Sequence, residues 1–375
     1  MELMINTIDD VLPQINTDNG ICVSKRTNYT VIDYVFVTKE TFDTDMALQC
    51  RGLKFDLDGR IIGRPFHKFF NMYEKEDPSS VDWSRPHTIL EKLDGTMIHP
   101  VMLGSEMVFM TRMGITSHAE RAMALASPQV VALCRDLLAA GLTPMFEYTG
   151  PENRVVVLYE SSRLTLLAVR ETITGRYLPY AELARIATKH DVPVAQSHGT
   201  IENIAEFIAD GRALRDVEGY VIAFDDGHRV KLKADGYVLR HRALSHVHLE
   251  KNVLNWVLTG AVDDVIPLLS PKAAERVLEY QSLVEEAISQ QTAKVQNFYE
   301  DNRCLDRKDY ALAAAQTLPK HLRSAAFIAL DGRSARDGVH GHLAWAAHSQ
   351  PRIDQVREFY GLEWSGDDLV LQDEG

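Results

Sequence analysis

The sequence predicts an α+β fold: an antiparallel-sheet domain over residues 1–244 followed by an all-helical domain over residues 245–375. Two observations carry this. Up to about Arg240, short β-branched runs recur at hairpin spacing with a few helical stretches between them, which favours antiparallel over doubly wound sheets. Beyond that point the alternation fades and apolar residues fall at helical spacing. The length, 375 residues, suits two domains.

Taken in order, TVIDYVFV at 30–37 reads as a strand. LKFDLDGRIIGRPF alternates about Asp58-Gly59, a hairpin signal. MVFMTRM at 107–113 is a further strand, and helical spacing runs from about His118 to Ala140, closed by Gly141. MFEYTG, VVVLYES and LTLLAVRET give three strand-like runs, and helices are expected over 179–189 and 201–214. GYVIAFDDGHRVKLK is a second hairpin, turning at Asp226-Gly227. In the tail, Ser270-Pro271 reads as an N-cap with Pro at the first helical position.

Composition narrows the class. Hydrophobic residues at 45% and charged residues at 25% are ordinary globular values, which excludes a disordered or fibrous chain. No apolar run is long enough to span a bilayer, and the acidic N-terminal stretch lacks a signal-peptide pattern, so a cytoplasmic protein is expected, in the host cytoplasm if phage-encoded. Cys22, Cys50, Cys134 and Cys304 form no CxxC motif and read as reduced, mostly buried thiols. The net charge of −13 argues against nonspecific nucleic-acid binding. Two basic islands run against it: Arg51, Lys54, Arg60, Arg64 and Lys68, then Arg229, Lys231, Lys233, Arg240 and Arg242. Such islands in an acidic chain point to a specific anion. The histidines His241, His246 and His248 lack the further ligands of a zinc set and read as packed or solvated. No Walker motif, dinucleotide fingerprint, nucleophile elbow or kinase signature is present.

The chemistry-bearing residues occur in a fixed order. Lys92-Leu93-Asp94-Gly95 is preceded by Cys50-Arg51-Gly52 and RPFHKFFN. It is followed by Thr111-Arg112-Met113-Gly114, Phe146-Glu147-Tyr148, PENRVVVLYE, LLAVRETITGRY, Val217-Glu218-Gly219-Tyr220-Val221 and Lys231-Leu232-Lys233. A lysine before an Asp-Gly turn is commonplace by itself; the ordered set is not. It resembles the covalent nucleotidyltransferases, the polynucleotide ligases and mRNA capping enzymes. More narrowly it resembles the T-even phage RNA ligases that repair broken tRNA. The resemblance continues to Asp306-Arg307-Lys308-Asp309-Tyr310-Ala311 in the tail and so spans essentially the whole chain.

The resemblance implies a ligase-type nucleotidyltransferase domain that moves AMP from ATP to a lysine, then to an RNA 5′-phosphate, and expels it when a 3′-OH attacks. Lys92 would be the nucleophile, useful only when a positive field lowers its ordinary pKa of roughly 10.4. Lys231 and Lys233 alternate about Leu232 and share one strand face, where they would contact the α-phosphate. Arg51 and Lys68 would clamp pyrophosphate or RNA phosphate. Glu147 and Glu218 are the expected Mg²⁺ residues, with Mn²⁺ as a substitute, because one or two carboxylates suffice for that ion. Asp94 would orient the lysine or a metal-bound water. Phe146 or Tyr148 would stack on adenine, although alternation puts both on the strand face opposite Glu147, and a core role is equally open. Arg112 stands where the phage family carries a lysine pair and would do phosphate or ribose work. The expected partner is RNA with 5′-phosphate and 3′-OH ends, such as tRNA cut in its anticodon loop, with no membrane and no obligate protein partner. DNA ligases and capping guanylyltransferases share the covalent step but carry a strand-rich OB domain where this chain is helical. A silent RNA-binding relative is the reading from another class, and the intact Lys92, Glu147 and Glu218 weigh against it. The bunched Arg303, Arg307 and Lys308 mark the tail as a candidate for reading folded RNA.

Overall fold

The structure, a computed structural model, describes residues 3–366 and Leu369. The chain up to Val238 forms one compact unit, and a second begins at Leu239, inside the helix Asp235–Val247.

The first unit is a mixed α+β structure with antiparallel sheets. Its strands are β1 (Ile21–Lys25), β2 (Thr30–Tyr34), β3 (Leu53–Phe55), β4 (Ile61–Gly63), β5 (Phe70–Asn71), β6 (His87–Lys92), β7 (Thr96–Leu103), β8 (Glu106–Met110), β9 (Leu142–Thr149), β10 (Arg163–Glu171), β11 (Gly219–Phe224) and β12 (Arg229–Lys233). They form three sheets, ordered β1-β2-β3-β4, β10-β9-β7-β8 and β5-β12-β11-β6. All pairings are antiparallel except the short β12–β5 contact.

Helices Pro128–Ala139 and Tyr180–His190 cover β9 and its neighbours with Leu133, Leu137, Leu183 and Ala187, packed on Ile98, Phe146 and Leu166. Helix Ile204–Ala213 sets Ile208 against Ile222, Val230 and Leu232. Burying a side chain of this kind stabilises by ~1.5–3 kcal/mol, so these cores hold the sheets that carry the polar site.

Several expectations change. The helix expected over 118–140 is two, Ser117–Leu125 and Pro128–Ala139. A residue before proline avoids the helical region; Ser127 is extended and instead caps the second helix through its hydroxyl and the Val130 N–H. The run at 30–37 stops pairing at Tyr34, and Val35, Phe36 and Val37 are exposed. VVVLYES is no strand: the N–H groups of Val156 and Val157 donate to the Asp94 carboxylate rather than to a ladder. Of the cysteines, Cys50 and Cys134 are buried, Cys22 is half-buried and Cys304 is exposed.

The second unit is helical in its described residues. Its axis is the 32-residue helix Pro271–Asn302, capped by Ser270 with Pro271 at its first turn. Val277, Tyr280, Val284, Ile288, Val295 and Phe298 form its buried stripe at helical spacing. Helices Arg323–Leu330, Ala335–Ala346 and Gln350–Tyr360 complete the same core with Ala326, Leu343 and Val356. Among the described residues no helix is long and apolar enough to cross a membrane.

Candidate active site

The register of one sheet builds the centre. Gly219 on β11 lies opposite Lys92 at the end of β6 and opposite Lys233 at the end of β12. Both lysines therefore flank the chain just where Glu218 enters β11. The Glu218 carboxylate, 1% exposed, accepts both ammonium groups: Oε2 lies 2.6 Å from Lys92 Nζ and Oε1 lies 2.9 Å from Lys233 Nζ. A buried carboxylate is costly unless paired in this way.

Two glycines make the approach possible. Gly219 has φ +139, and a Cβ there would sit 2.0 Å from the Leu232 carbonyl oxygen. A Cβ on Gly95 would meet the Tyr148 carbonyl oxygen at 2.2 Å, so the turn after Lys92 can lie on β9 only as glycine.

Asp94 is held by the chain itself. It is 1% exposed, and its Oδ2 accepts the backbone N–H groups of Val156 and Val157, each at 2.7 Å. Its Oδ1 accepts the Tyr237 hydroxyl at 2.7 Å, and its own N–H donates to the Tyr159 hydroxyl at 3.0 Å. Burial and the Glu218 charge raise its pKa while these donors oppose the rise. Asp94 is thus a positioning residue that ties the lysine turn to the segment after β9.

Lys92, Glu218, Lys231, Lys233, Arg51 and Glu147 line one cavity of about 860 Å³. Its other walls are largely apolar, with Phe66, Phe69, Leu90, Met97, Leu167 and Val221. Lys231 stands over the Phe69 ring at 4.7 Å, and its pKa falls to about 7, first through burial and then through Lys92, Arg51, Lys68 and Lys233. The buried Nη1 of Arg51 has no hydrogen-bond partner among the described residues. Converging cations with an unsatisfied guanidinium nitrogen fit an oligophosphate, and the apolar end fits a flat base.

Glu147 is 8% exposed and reaches the cavity from β9, where it pairs in register with Met97 and Thr165. The described residues contain no cluster of three or more metal-ligating side chains. Two cavity carboxylates, Glu147 and Glu218, fit an ion that keeps most of its waters and takes phosphate oxygens as further ligands.

Besides Asp94, four expected residues fall outside the cavity wall. Phe146 and Tyr148 are buried in the hydrophobic core, Phe146 stacked near Phe109 with centroids 6.5 Å apart, so neither can stack on a bound base. The aromatic rings at the cavity are Phe66 and Phe69 instead. Arg112 is ion-paired with Asp33 at 2.9 Å and donates to the Tyr34 carbonyl oxygen at 3.1 Å. Lys68 sits 5.4 Å from each of the Tyr34, Phe42 and Phe70 ring centroids and lines a neighbouring cavity.

Other residues of the centre were named in the sequence only within a basic island or a motif, with no role of their own. Arg229 forms part of the cavity wall, with its guanidinium 4.2 Å from the Tyr177 ring centroid. Its signal was available, since Arg229, Lys231 and Lys233 alternate on one strand face. Tyr159, within the motif PENRVVVLYE, and Tyr237 were given no role, yet both hold the Asp94 turn.

A strand-built pocket that gathers a lysine, an acidic partner and further cations defines a phosphoryl- or nucleotidyl-transfer site as a class. Comparison with known proteins narrows it. The family described as RNA ligase matches residues 49–237, and the family described as T4 RNA ligase 1, C-terminal domain, matches residues 246–330. A protein of Thermovibrio ammonificans provisionally named an RNA ligase is 31% identical over 282 residues, 72% of this chain and 73% of that one. RNA ligase 1 of bacteriophage TS2126 is 28% identical over 253 residues, 62% of each chain. Among solved structures, an archaeal ATP-dependent RNA ligase aligns at 17% identity with a TM-score of 0.49, covering 73% of this chain and 77% of that one. The chain belongs to the RNA ligase family of the T4 RNA ligase 1 type.

Proposed function

We propose that this RNA ligase works with ATP through a covalent Lys92–AMP intermediate and acts on broken, folded RNA such as a tRNA cut in its anticodon loop. The observation that carries the chemistry is the cavity itself, where Lys92 shares Glu218 with Lys233 while Lys231 and Arg51 face the same space. The match of the tail to the T4 RNA ligase 1 C-terminal domain supports the choice of RNA.

In the first step the Lys92 amine attacks the α-phosphorus of ATP; the P–N bond forms and the bond to the β-phosphate oxygen breaks, releasing pyrophosphate. Only the free amine attacks, so Lys92 must give up its proton before the step. Lys231, Lys233 and Arg51 stabilise the charge that develops on the phosphoryl oxygens. In the second step an RNA 5′-phosphate oxygen attacks the same phosphorus and the P–N bond breaks, which returns the amine and leaves AMP on the RNA. In the third step a 3′-OH attacks the RNA phosphorus and AMP leaves. Mg²⁺, or Mn²⁺, held by Glu147 and Glu218, would neutralise phosphate charge.

The test is incubation with α-labelled ATP. Wild type should form an acid-stable protein–AMP band and Lys92→Ala none, while Lys92→Ala keeps some sealing of RNA already adenylylated at its 5′ end. Labelling of Lys92→Ala would refute the nucleophile, and labelling by GTP in place of ATP would point to a capping activity.

A further inference from the structure

The second unit carries an aromatic column that the ligase centre does not use. The Phe359 and His321 rings stack with centroids 4.4 Å apart and planes 12° apart. His321 faces His342 at 6.1 Å and 22°, and His342 faces Trp345 at 5.8 Å and 4°. The Arg352 guanidinium extends the series, its Cζ 4.9 Å from the Trp345 ring centroid. The planes are near-parallel though they come from three segments: the turn Lys320–Leu322 and the helices Ala335–Ala346 and Gln350–Tyr360.

The column is held from beneath, and its outer rings are exposed. His342 Nδ1 is hydrogen-bonded to the Tyr360 hydroxyl at 2.9 Å, and the Phe359 carbonyl accepts Gln291 Nε2 at 2.9 Å. Both imidazoles have lowered pKa values, chiefly through burial, so they stack as neutral rings at neutral pH. Phe359 is 48% and Trp345 42% exposed, whereas Trp83, Trp256 and Trp364 are half-buried. A ladder built only for packing would bury its outer rings. Exposed Lys294 and Lys320 stand near His321 or next to it in sequence, and Arg352 stands at Trp345. Of the nearby acids, Asp354 is ion-paired with Arg357 at 3.3 Å, and Glu358 is exposed.

We propose that Trp345 and Phe359, with Arg352, form a stacking site for an unpaired base in the loop of the RNA substrate. Every base presents a π-face, and exposed aromatic rings with a guanidinium are the side chains that take it. Loop bases of a folded RNA are the ones free to splay onto such a platform. The bunched cations expected to read the RNA are partly committed elsewhere, since Arg307 is ion-paired with Asp331 at 2.6 Å. This inference rests on RNA being the substrate and adds the place and manner of its recognition.

The test uses the full chain and two hairpin RNAs of one stem, one with a wide unpaired loop and one closed by the shortest stable loop. Trp345→Leu and Phe359→Leu keep apolar bulk and remove the ring. Each should weaken wide-loop binding between about fivefold and about a hundredfold, the range that base–aromatic stacking gives. Trp345→Phe should bind close to wild type, and the short-loop hairpin should bind all variants alike. Wild-type tryptophan fluorescence should be quenched by the wide-loop hairpin, with the quenching lost in Trp345→Phe. Unchanged wide-loop affinity in both leucine variants would overturn the proposal, as would equal losses on the two hairpins. Formation of Lys92–AMP requires no RNA, so its assay passes or fails independently of this one.

Discussion

Lys231→Met should stabilise the ligand-free protein while destroying its chemistry, and the stabilisation should depend on pH in a defined direction. Burial and four neighbouring cations depress the Lys231 pKa from 10.5 to about 7. Between those values the unfolded chain holds a proton that the folded chain releases, so stability rises with pH across the window. The penalty is full below pH 7 and gone by about pH 10.5. At 1.36 kcal/mol per unit, its ceiling is about 5 kcal/mol at low pH, falling to about 2 kcal/mol at pH 9. Methionine keeps the length and bulk of the side chain but loses the contact with Phe69, a cation–π term of ~0.5–2 kcal/mol. Only the protonated amine makes that contact, so it offsets the gain at pH 6 but not at pH 9, where the folded amine is neutral; the net gain is therefore about 3 kcal/mol or more at pH 6 and about 2 kcal/mol at pH 9, or roughly 6–12 °C in melting temperature at the acid end for a unit of this size. Thermal melts of wild type and Lys231→Met at the two pH values measure it, and adenylylation of the same samples reports function. A variant that melts below wild type at pH 6, or that gains equally at both pH values, would refute the reasoning.

Asp94→Ala strands two backbone N–H groups and the Tyr237 hydroxyl, which should cost about 3 kcal/mol or more; melts should show the loss together with slower adenylylation, although Asp94 is not part of the cavity wall. Gly95→Ala places a Cβ 2.2 Å from the Tyr148 carbonyl oxygen; the displaced Lys92 should lower the adenylylation rate by about a hundredfold, the effect of a shift of about 1 Å, in protein that still folds by circular dichroism. A chain ending at residue 244 should still form the lysyl adenylate and lose sealing of broken tRNA more than of a linear strand, with the two substrates compared side by side. A chain ending at residue 234 lacks the Tyr237 hydroxyl held at 2.7 Å by Asp94, and its adenylylation should be clearly weaker than that of the longer truncation.

The legible part of the site was the part written as short-range pattern. Lys231 and Lys233 could be put on one face because strand alternation is local, and Leu232 is buried opposite them as that alternation requires. The same argument placed Phe146 and Tyr148 away from Glu147, and the core took both. Three-dimensional partners were not legible. Asp94 read as a group that orients the lysine or a metal-bound water, but the donors it accepts, more than sixty residues away at 156–157 and at Tyr237, could not be named from the sequence. The same long-range bond explains why Val155–Ser161 failed as a strand. The tail's helices were plain from periodicity, but the ring column joins residues of three segments whose sequence spacing carries no common period.

The cavity sets five cations, Arg51, Lys92, Arg229, Lys231 and Lys233, against three carboxylates, Glu91, Glu147 and Glu218. Glu218 already holds Lys92 and Lys233. Burial, and after it the neighbouring positive charge, lowers the pKa of Lys231, and one buried Arg51 nitrogen has no hydrogen-bond partner among the described residues. An anion entering the cavity relieves both, so nucleotide binding and the folding of this unit draw on the same electrostatic deficit. The net charge of −13 does not conflict with this, because it is spread over the whole chain while the cations converge on one strand end. Local register, with Gly219 facing Lys92 on one side and Lys233 on the other, lets an acidic protein present a concentrated positive field to a phosphate.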